Sequence, residues 1–226
     1  MRRRTPGVIP PDLPTRLGRL SAHPPSKVIE LLEPLVLDRR RERLKQVIEK
    51  RLGSVSVLFD APHDPHNGAA VLRTCEAFGV QHLHVVERRE SFLSASSVSK
   101  GAEKWVDVHT YKAVAPALAA LDGFTLVGAA ADGELEPRDL ASIPRLCLVL
   151  GNEREGIGAD LVAACTRRVR VPMRGFIESL NVSVTAAILL AYGVEGRPGD
   201  LSDEDRERLY ARGLYFSVPK ADEVLK

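Results

Sequence analysis

Short apolar runs alternating with segments of helical periodicity predict an α/β fold, a mostly parallel sheet flanked by helices. Composition agrees: 226 residues suit one sizeable domain with an appended arm, and shares of 44% hydrophobic and 27% charged residues are those of a water-soluble globule. No internal repeat interrupts the pattern. No apolar run reaches the roughly 18 residues of a membrane span, and the opening MRRRTPGVIPPDLP lacks a signal-peptide core. A cytoplasmic protein without a membrane partner is the expectation.

The elements follow in order. Residues 1–25, rich in Pro and Arg, predict an extended or loosely packed arm. Residues 26–51 predict helix, with apolar Val28, Leu31, Leu32 and Leu35 first. In the following DRRRERLKQVIEKRL, Leu44, Val47, Ile48 and Leu52 share one face while Arg39, Arg40, Arg43 and Lys50 populate the rest. Strands are predicted at SVSVLFD, HLHVVE, WVDVHTY, FTLVGAAA, RLCLVLG and RVRVPM, and helices from near Asn67, Ala113, Gly158 and Asn181. LSDEDRERLYARG reads as one more helix, with Ser202 as its cap.

Charge is unevenly distributed. Residues 1–51 hold 13 of the 32 basic and 6 of the 30 acidic side chains, a balance of +7, which leaves −5 for the remainder. A basic end on a mildly acidic body suits a polyanion partner, and it also suits a solvated arm with an ordinary surface helix. Cys75, Cys147 and Cys165 form no CxxC pair and lie in apolar surroundings, as buried reduced thiols do. His63 and His66 are close, as are His82 and His84, but no Cys, Asp or Glu stands near them at zinc-ligand spacing, and no metal is expected.

Ligands of a parallel sheet gather beyond the carboxyl ends of its strands. Three segments fall there. In HDPHNGAAVLRTCEAFGV, Asn67 opens a helix and Arg73 follows six residues later, within a face otherwise apolar. In LVLGNEREGIG a buried strand ends at Gly151, Asn152 and Glu153, and the chain turns at Gly156 and Gly158. In VPMRGFIESLNVS polar residues immediately precede the most apolar helix of the chain. Taken singly, Asn67 and Asn181 read as helix caps and the glycines as an ordinary connection. The glycines fit neither G-x-G-x-x-G nor the phosphate loop G-x-x-x-x-G-K-[ST].

Taken together, the Asn67-to-Arg73 spacing, the Gly151–Glu153 turn, and Pro172-Met173 followed by Ser179-Leu180-Asn181-Val182-Ser183 resemble the signature motifs of the SpoU family of RNA ribose 2′-O-methyltransferases, within the knotted SPOUT group. The resemblance spans about residues 38–216. RTCEAFGV, GAEKWVDV, the DRRRERL helix and Asp203–Gly213 are most similar to the branch that methylates guanosine 18 in the tRNA D-loop. Glu178 stands where that branch often has glutamine, and the Pro-rich opening extends beyond its usual start.

The resemblance implies a Pro/Arg-rich extension over 1–37, a methyltransferase domain with a basic N-terminal helix over 38–200, a helical extension over 201–226 and a C-terminal trefoil knot. It implies a homodimer built through the knot region, tRNA as partner and S-adenosylmethionine as cofactor. Leu150, Val171, Met173 and Leu180 would hold the adenine, with Ala129 and Gly151 contributing backbone. Arg73 is the implied catalytic residue, with Asn67 holding it or the substrate phosphate, and Glu153, Ser179 and Asn181 fixing it and the cofactor loop. Arg39, Arg40, Arg41, Arg43 and Lys104, together with Lys45, Lys50 and Arg51, would grip RNA. The family assigns its arginine as a base, yet a guanidine kept neutral at pH 7 costs about 7 kcal/mol, at roughly 1.4 per unit of pKa. A charged arginine that clamps phosphate and stabilises the alkoxide costs less, and its protonation role stays open. The open alternatives are another RNA target (rRNA or the tRNA anticodon loop), a non-catalytic RNA-binding member of the fold, and a nucleotide-dependent oxidoreductase.

Overall fold

The computed structural model describes residues 13–88 and 101–226. Helices α1 (Leu13–Ser21) and α2 (Pro25–Leu32), a 3₁₀ turn (Glu33–Leu35) and α3 (Asp38–Ile48) lead into β1 (Leu52–Asp60). Next come α4 (Pro65–Ala77), β2 (Val80–Val86), a 3₁₀ turn (Ala102–Lys104), β3 (Asp107–Tyr111), α5 (Val114–Ala120) and β4 (Thr125–Ala129). A 3₁₀ turn (Pro137–Ser142), β5 (Leu146–Leu150), α6 (Ala159–Ala164), β6 (Arg167–Val169), α7 (Val182–Gly193), α8 (Asp203–Ser217) and α9 (Ala221–Val224) complete the order. The described chain forms two compact units, Gly53–Arg197 and the N-terminal helices with Pro198–Lys226.

The first unit is built on a six-stranded sheet of order β3-β2-β1-β5-β4-β6. The pairs β2–β3, β1–β5, β4–β5 and β4–β6 are parallel. β5 is buried along its whole length, which is why its sequence is a continuous apolar run rather than an alternation. Leu58, Val86, Ala117, Leu121, Cys147, Val149 and Leu161 form one core cluster beneath α5 and α6. All the predicted strands are present, but the one expected over RVRVPM stops at Val169. Pro172 has no N–H to extend a ladder, and residues 170–181 leave the sheet as a loop. Gly133 accommodates the backbone that crosses β6: a Cβ there would lie 2.5 Å from the carbonyl carbon of Val169.

The second unit is helical. Its first element corrects the extended arm expected over residues 1–25: Leu13–Ser21 is a helix, because Leu13, Leu17 and Leu20 recur at helical spacing. Arg16 caps its packing by stacking over the rings of Tyr215 and Phe216, at 5.3 and 5.0 Å. Residues 1–12 of that arm lie outside the described residues. The helix predicted over 26–51 is broken at the 3₁₀ turn, where Pro34 cannot donate the bond that would continue α2. Ser202 caps α8 as predicted, accepting from the N–H of Asp205 at 3.1 Å.

Cys75 and Cys147 are buried and Cys165 partly so, all as free thiols. Burial pushes the Cys165 thiol up to about 11 and raises Cys147 further, which leaves both protonated at neutral pH. His82, His84 and His109 lie side by side on β2 and β3, and burial, with its neighbours His109 and His82, pushes His84 down to about 3. No group of His, Cys, Asp or Glu among the described residues is arranged to hold a metal. Among them, too, no helix is long and apolar enough to cross a membrane.

Helix α7 is fixed at its far end by one side chain. Arg197 donates to the carbonyls of Gly193 at 2.7 Å and Pro144 at 2.9 Å, and also to those of Leu140, Ala141 and Ile143. It ties the last turn of α7 to the 3₁₀ turn that the helix packs against, satisfying carbonyls that both elements leave orphaned. Arg197→Ala is expected to lower unfolding free energy by about 2–3 kcal/mol, since several partly buried carbonyls lose a charged donor. Arg197→Lys, with a single ammonium, should recover no more than about half of that. Urea denaturation measures both, and a loss below about 0.5 kcal/mol for the alanine variant would show that water replaces the guanidinium.

Candidate active site

The carboxyl ends of β1, β5, β4 and β6 lie along one edge of the sheet: Phe59 pairs with Leu150, Gly128 with Val149 and Ala129 with Val169. The strand order reverses between β1 and β5, so a crevice opens there. Each of the three sequence motifs leaves this edge differently. After β1, Asp64 caps α4 by accepting from the N–H of His66 at 2.8 Å, with Pro65 at the first helical position. The helix therefore starts ahead of Asn67, which sits in its first turn. After β5 the chain reverses within Asn152–Gly156: these residues exchange two backbone bonds of 3.1 Å, and the Asn152 side-chain oxygen accepts from the N–H groups of Arg154 and Glu155. Gly156 has φ 70°, and a Cβ on Gly151 would lie 2.1 Å from the Gly156 carbonyl carbon, so the turn requires glycine at both places. Before α7, Asn181 is the cap, its oxygen accepting from the N–H and hydroxyl of Ser183 at 2.9 and 2.6 Å.

These turns meet in a line of hydrogen bonds. The Asn181 amide donates to the Asn67 oxygen at 3.0 Å, and the Asn67 amide donates to the Glu153 carboxylate. The direction is forced. Asn181 must present its oxygen to the helix it caps, which leaves its NH₂ for Asn67; Asn67 must then accept on one side and donate on the other. Residues separated by 86 and 114 positions in the chain are thereby set in one polarity.

Arg73 stands apart from this line. The residue expected within an apolar face of α4 is exposed, while Gly68, Ala69, Val71, Leu72 and Cys75 form the buried side. A six-residue step at 3.6 residues per turn carries it well around the helix from Asn67. The bonds of Asn67 go to Glu153 and Asn181, not to Arg73, and among the described residues Arg73 has no hydrogen-bond or ion-pair partner. Its guanidinium fork is presented to solvent.

A cleft of about 510 Å³ lies against the Glu153–Asn181 side of the line. Leu150, Val171, Met173 and Leu180 give it apolar walls, Ala129 and Gly151 lie at the strand ends, and Ser179, Thr185, Glu153 and Glu178 add polar groups. All six residues expected around a cofactor thus line one cavity, as do Glu153, Ser179 and Asn181. No lysine or arginine lines it among the described residues. Apolar walls with two carboxylates and no cation fit a flat ring joined to a positive charge, as in S-adenosylmethionine; the diphosphate of a dinucleotide would meet only like charge.

Sequence reading missed what holds the Gly151–Gly158 segment in place. Asp60, buried at the end of β1, accepts from the N–H of Gly158 at 2.8 Å and from Arg88 at 2.7 Å, and Arg88 also donates to Asp160 at 2.5 Å. Arg88 in turn holds the Asp160 carboxyl below the usual carboxylate range, and its own pKa is raised by Asp160 first and Asp60 second. The available signal was a carboxylate ending a buried strand, a costly placement without a partner.

The second unit carries the basic residues assigned to RNA. Arg39, Arg43 and Lys50 are exposed, and their side chains have no ion-pair or hydrogen-bond partner among the described residues. Arg40 donates to Ser217 at 3.1 Å, Arg41 pairs with Asp38, and Lys45 lies 3.4 Å from Glu33 and over the Tyr210 ring. Arg51 is a correction: it is only 2% exposed, so it serves the packing of this unit and offers nothing to a phosphate. Lys104, in the first unit, is half-buried at the end of its 3₁₀ turn.

Fold and site together define an α/β protein whose parallel sheet carries, beyond the carboxyl ends of β5, β4 and β6, a cleft suited to a cationic, ring-bearing ligand. Comparison with known proteins makes the class specific. The SpoU rRNA Methylase family model matches residues 54–191, and the chain belongs to that family. It is 31% identical over 205 residues to the tRNA (guanosine(18)-2′-O)-methyltransferase of Aquifex aeolicus, an alignment covering 84% of this chain and 95% of the relative. The crystal structure of the A. aeolicus TrmH/SpoU tRNA modifying enzyme is similar with a TM-score of 0.69 at 28% identity, covering 81% of this chain and 98% of that one. The SpoU methyltransferase AviRb from Streptomyces viridochromogenes, in complex with the cofactor AdoMet, gives a TM-score of 0.59 at 26% identity over 66% of this chain and 60% of that one.

If the amide line is an energetic unit, Asn67→Ala and Asn181→Ala should not add. Asn181→Ala alone is expected to cost about 1 kcal/mol through loss of the helix cap. The double variant should fall short of the sum by roughly 0.5–1.5 kcal/mol, the range for groups in one hydrogen-bonded network. Denaturant titration of the four proteins gives the coupling, and strict additivity would show that the side chains are merely adjacent.

Proposed function

We propose that the protein transfers a methyl group from S-adenosylmethionine to a ribose 2′-hydroxyl of tRNA, at guanosine 18 of the D-loop. The observation that carries the reading is the hydrogen-bonded line from Asn181 through Asn67 to Glu153, which joins all three motifs beside an apolar cleft rimmed by carboxylates and, among the described residues, by no basic side chain. The choice of tRNA target is supported by extent. The similarity to AviRb covers 66% of this chain, whereas the A. aeolicus tRNA enzyme covers 81% and aligns beyond residues 54–191.

The bound cofactor supplies an electrophilic methyl group on a sulfonium. Leu150, Val171, Met173 and Leu180 would hold the adenine, with the backbone of Ala129 and Gly151 beside it, and Glu153 and Glu178 would supply carboxylates to balance the positive charge. Arg73 would grip a substrate phosphate with its planar fork and stabilise the negative charge that builds on the 2′-oxygen as its proton passes to a solvent water and the oxygen takes the methyl group. Asn67 positions Glu153, and Asn181 with Ser179 fixes the loop that closes over the cofactor. Residues 170–193 form the threaded part of a trefoil knot in this reading. Val184 and Tyr192, exposed on α7 at 45% and 44%, seat a second copy of the chain in a homodimer. The protein works in the cytoplasm, and Arg39, Arg40, Arg41, Arg43 and Lys104 contact the tRNA backbone.

Calorimetry should record binding of S-adenosylmethionine and S-adenosylhomocysteine and none of NAD, and Val171→Asp should abolish both signals by placing a charge against the adenine. Arg73→Ala should lose methyl transfer by about a thousandfold or more with cofactor affinity kept, and Arg73→Lys should rescue little. A residual alanine rate above about a tenth, equivalent to roughly 1.4 kcal/mol of barrier, removes the catalytic assignment. Nucleoside mass spectrometry should find 2′-O-methylguanosine in tRNA. Another methylated nucleoside, or methylated rRNA, would move the target.

Phosphate contacts release counterions, so tRNA affinity should fall with salt with a log–log slope near −3 to −4 for about four neutralised phosphates. Replacing Arg39, Arg43 and Lys50 by alanine should flatten that slope by about 2 and leave cofactor binding intact. An unchanged slope would make these side chains a solvated surface.

A further inference from the structure

A second cleft, of about 230 Å³, is lined by Ala61, Pro62, His63, Arg88, Arg154 and Glu155, and shares Asn152 with the cofactor cleft. We propose that it receives the base of the nucleoside being methylated, and that Arg154 and Glu155 read that base as guanine. The inference rests on the reading of the protein as a ribose methyltransferase acting at guanosine.

Position comes first. The base hangs from the ribose carbon next to the one bearing the 2′-hydroxyl, so a hydroxyl presented to the cofactor brings its base directly alongside. The two clefts meet at the turn after β5: Asn152 lines both, Glu153 lines the cofactor cleft, and the segment 61–63 that walls the second cleft runs into the helix bearing Asn67, which donates to Glu153. A ribose at that turn would direct its hydroxyl toward one cleft and its base toward the other.

The lining supplies the chemistry. Guanine offers O6 and N7 as acceptors and N1–H and the exocyclic N2 amine as donors. A guanidinium matches the first pair and a carboxylate the second, whereas adenine has no N1–H to give. Ala61 and Pro62 give an apolar wall. Arg88 forms wall too: its guanidinium is held by Asp60 and Asp160, so its charge is already countered. An anion site would need uncompensated cations, and here a carboxylate faces the remaining ones.

The readers are also preorganised. Asn152 accepts from the backbone N–H of Arg154 at 2.9 Å and of Glu155 at 2.7 Å, fixing where both side chains leave the turn. Across the cleft Ala61 sits at φ 45°, a left-handed conformation that costs a non-glycine residue about 1 kcal/mol or more, and its N–H is held by the Val86 carbonyl at 2.9 Å. Strain kept at a cleft wall is where binding function concentrates.

Methyl transfer to two tRNA transcripts, carrying guanosine or inosine at the target nucleotide, tests the assignment; inosine lacks only the exocyclic amine. The wild type should show kcat/KM at least tenfold higher for guanosine, and Glu155→Gln should bring that ratio below threefold by losing rate on guanosine. Arg154→Ala should slow both transcripts, with cofactor affinity within twofold of wild type for both variants. Equal rates on the two transcripts, or an unchanged ratio in Glu155→Gln, would overturn the base assignment. So would an Arg154→Ala loss that disappears at high salt, the mark of a phosphate contact. A wild type that binds S-adenosylmethionine but methylates no RNA would overturn the ribose-methylation reading itself, and the base assignment with it.

Discussion

The hydrogen bond from Asn181 to Asn67 is the contact on which the site depends. One partner caps α7 and the other lies in the first turn of α4, so the bond joins the starts of two helices at the sheet edge. A helix start is a sound place to anchor a polar group, because its orphan N–H groups dictate which way a capping side chain must point. Asn181 inherits its orientation from α7, Asn67 inherits it from Asn181, and Glu153 accepts the last hydrogen bond of the series. A carboxylate placed this way costs no reorganisation when a ligand arrives, which is the condition under which fixed dipoles act most strongly. The apolar half of α7 serves the same end: Ala186, Leu189 and Leu190 are buried, and burying large apolar side chains contributes about 1.5–3 kcal/mol each.

Electrostatics divides the labour between the two sides of the line. Among the described residues, Glu153 and Glu178 but no basic side chain line the larger cleft, while Arg73 stands on the exposed side of α4 with no carboxylate partner. Under the proposed function a cationic cofactor and an anionic RNA backbone would meet separate surfaces, and neither would screen the charge meant for the other. The usefulness of an exposed guanidinium lies in the planar fork it can present to a phosphate.

Strand order along the chain, the motifs and the residues that line the larger cleft were legible in the sequence because each is a local pattern. LCLVL is apolar throughout because β5 is covered on both faces, and the residues after it need special backbone geometry. Local patterns also misled. Pro and Arg in the first 25 residues suggested an arm, while Leu13, Leu17 and Leu20 carried the helical spacing that prevailed. Arg51 was grouped with its basic neighbours on α3, but it falls beyond the helix end and is buried. Although the placement of Asp60 at the end of a buried strand signalled that it needed a partner, the partners in the Asp60–Arg88–Asp160 network could not be read. Its members are separated by 28 and 72 positions, and nothing in either neighbourhood announces the other.

That network bears on how the two clefts are related. Asp60 and Arg88 secure Gly158 and Asp160 on the far side of the Asn152–Gly156 turn, while the Asn152–Gly156 backbone pair closes the turn itself. The segment is consequently held at both ends, and its short span exposes alternate faces: Glu153 to one cleft, Arg154 and Glu155 to the other. A turn this constrained cannot shift one side chain without moving the next. Under the proposed function, geometry at the methyl donor and geometry at the acceptor would be set by a single rigid piece of backbone, and in a displacement that requires the reacting atoms within about 3–3.5 Å, a shared reference of this kind does more than two independently tuned pockets could.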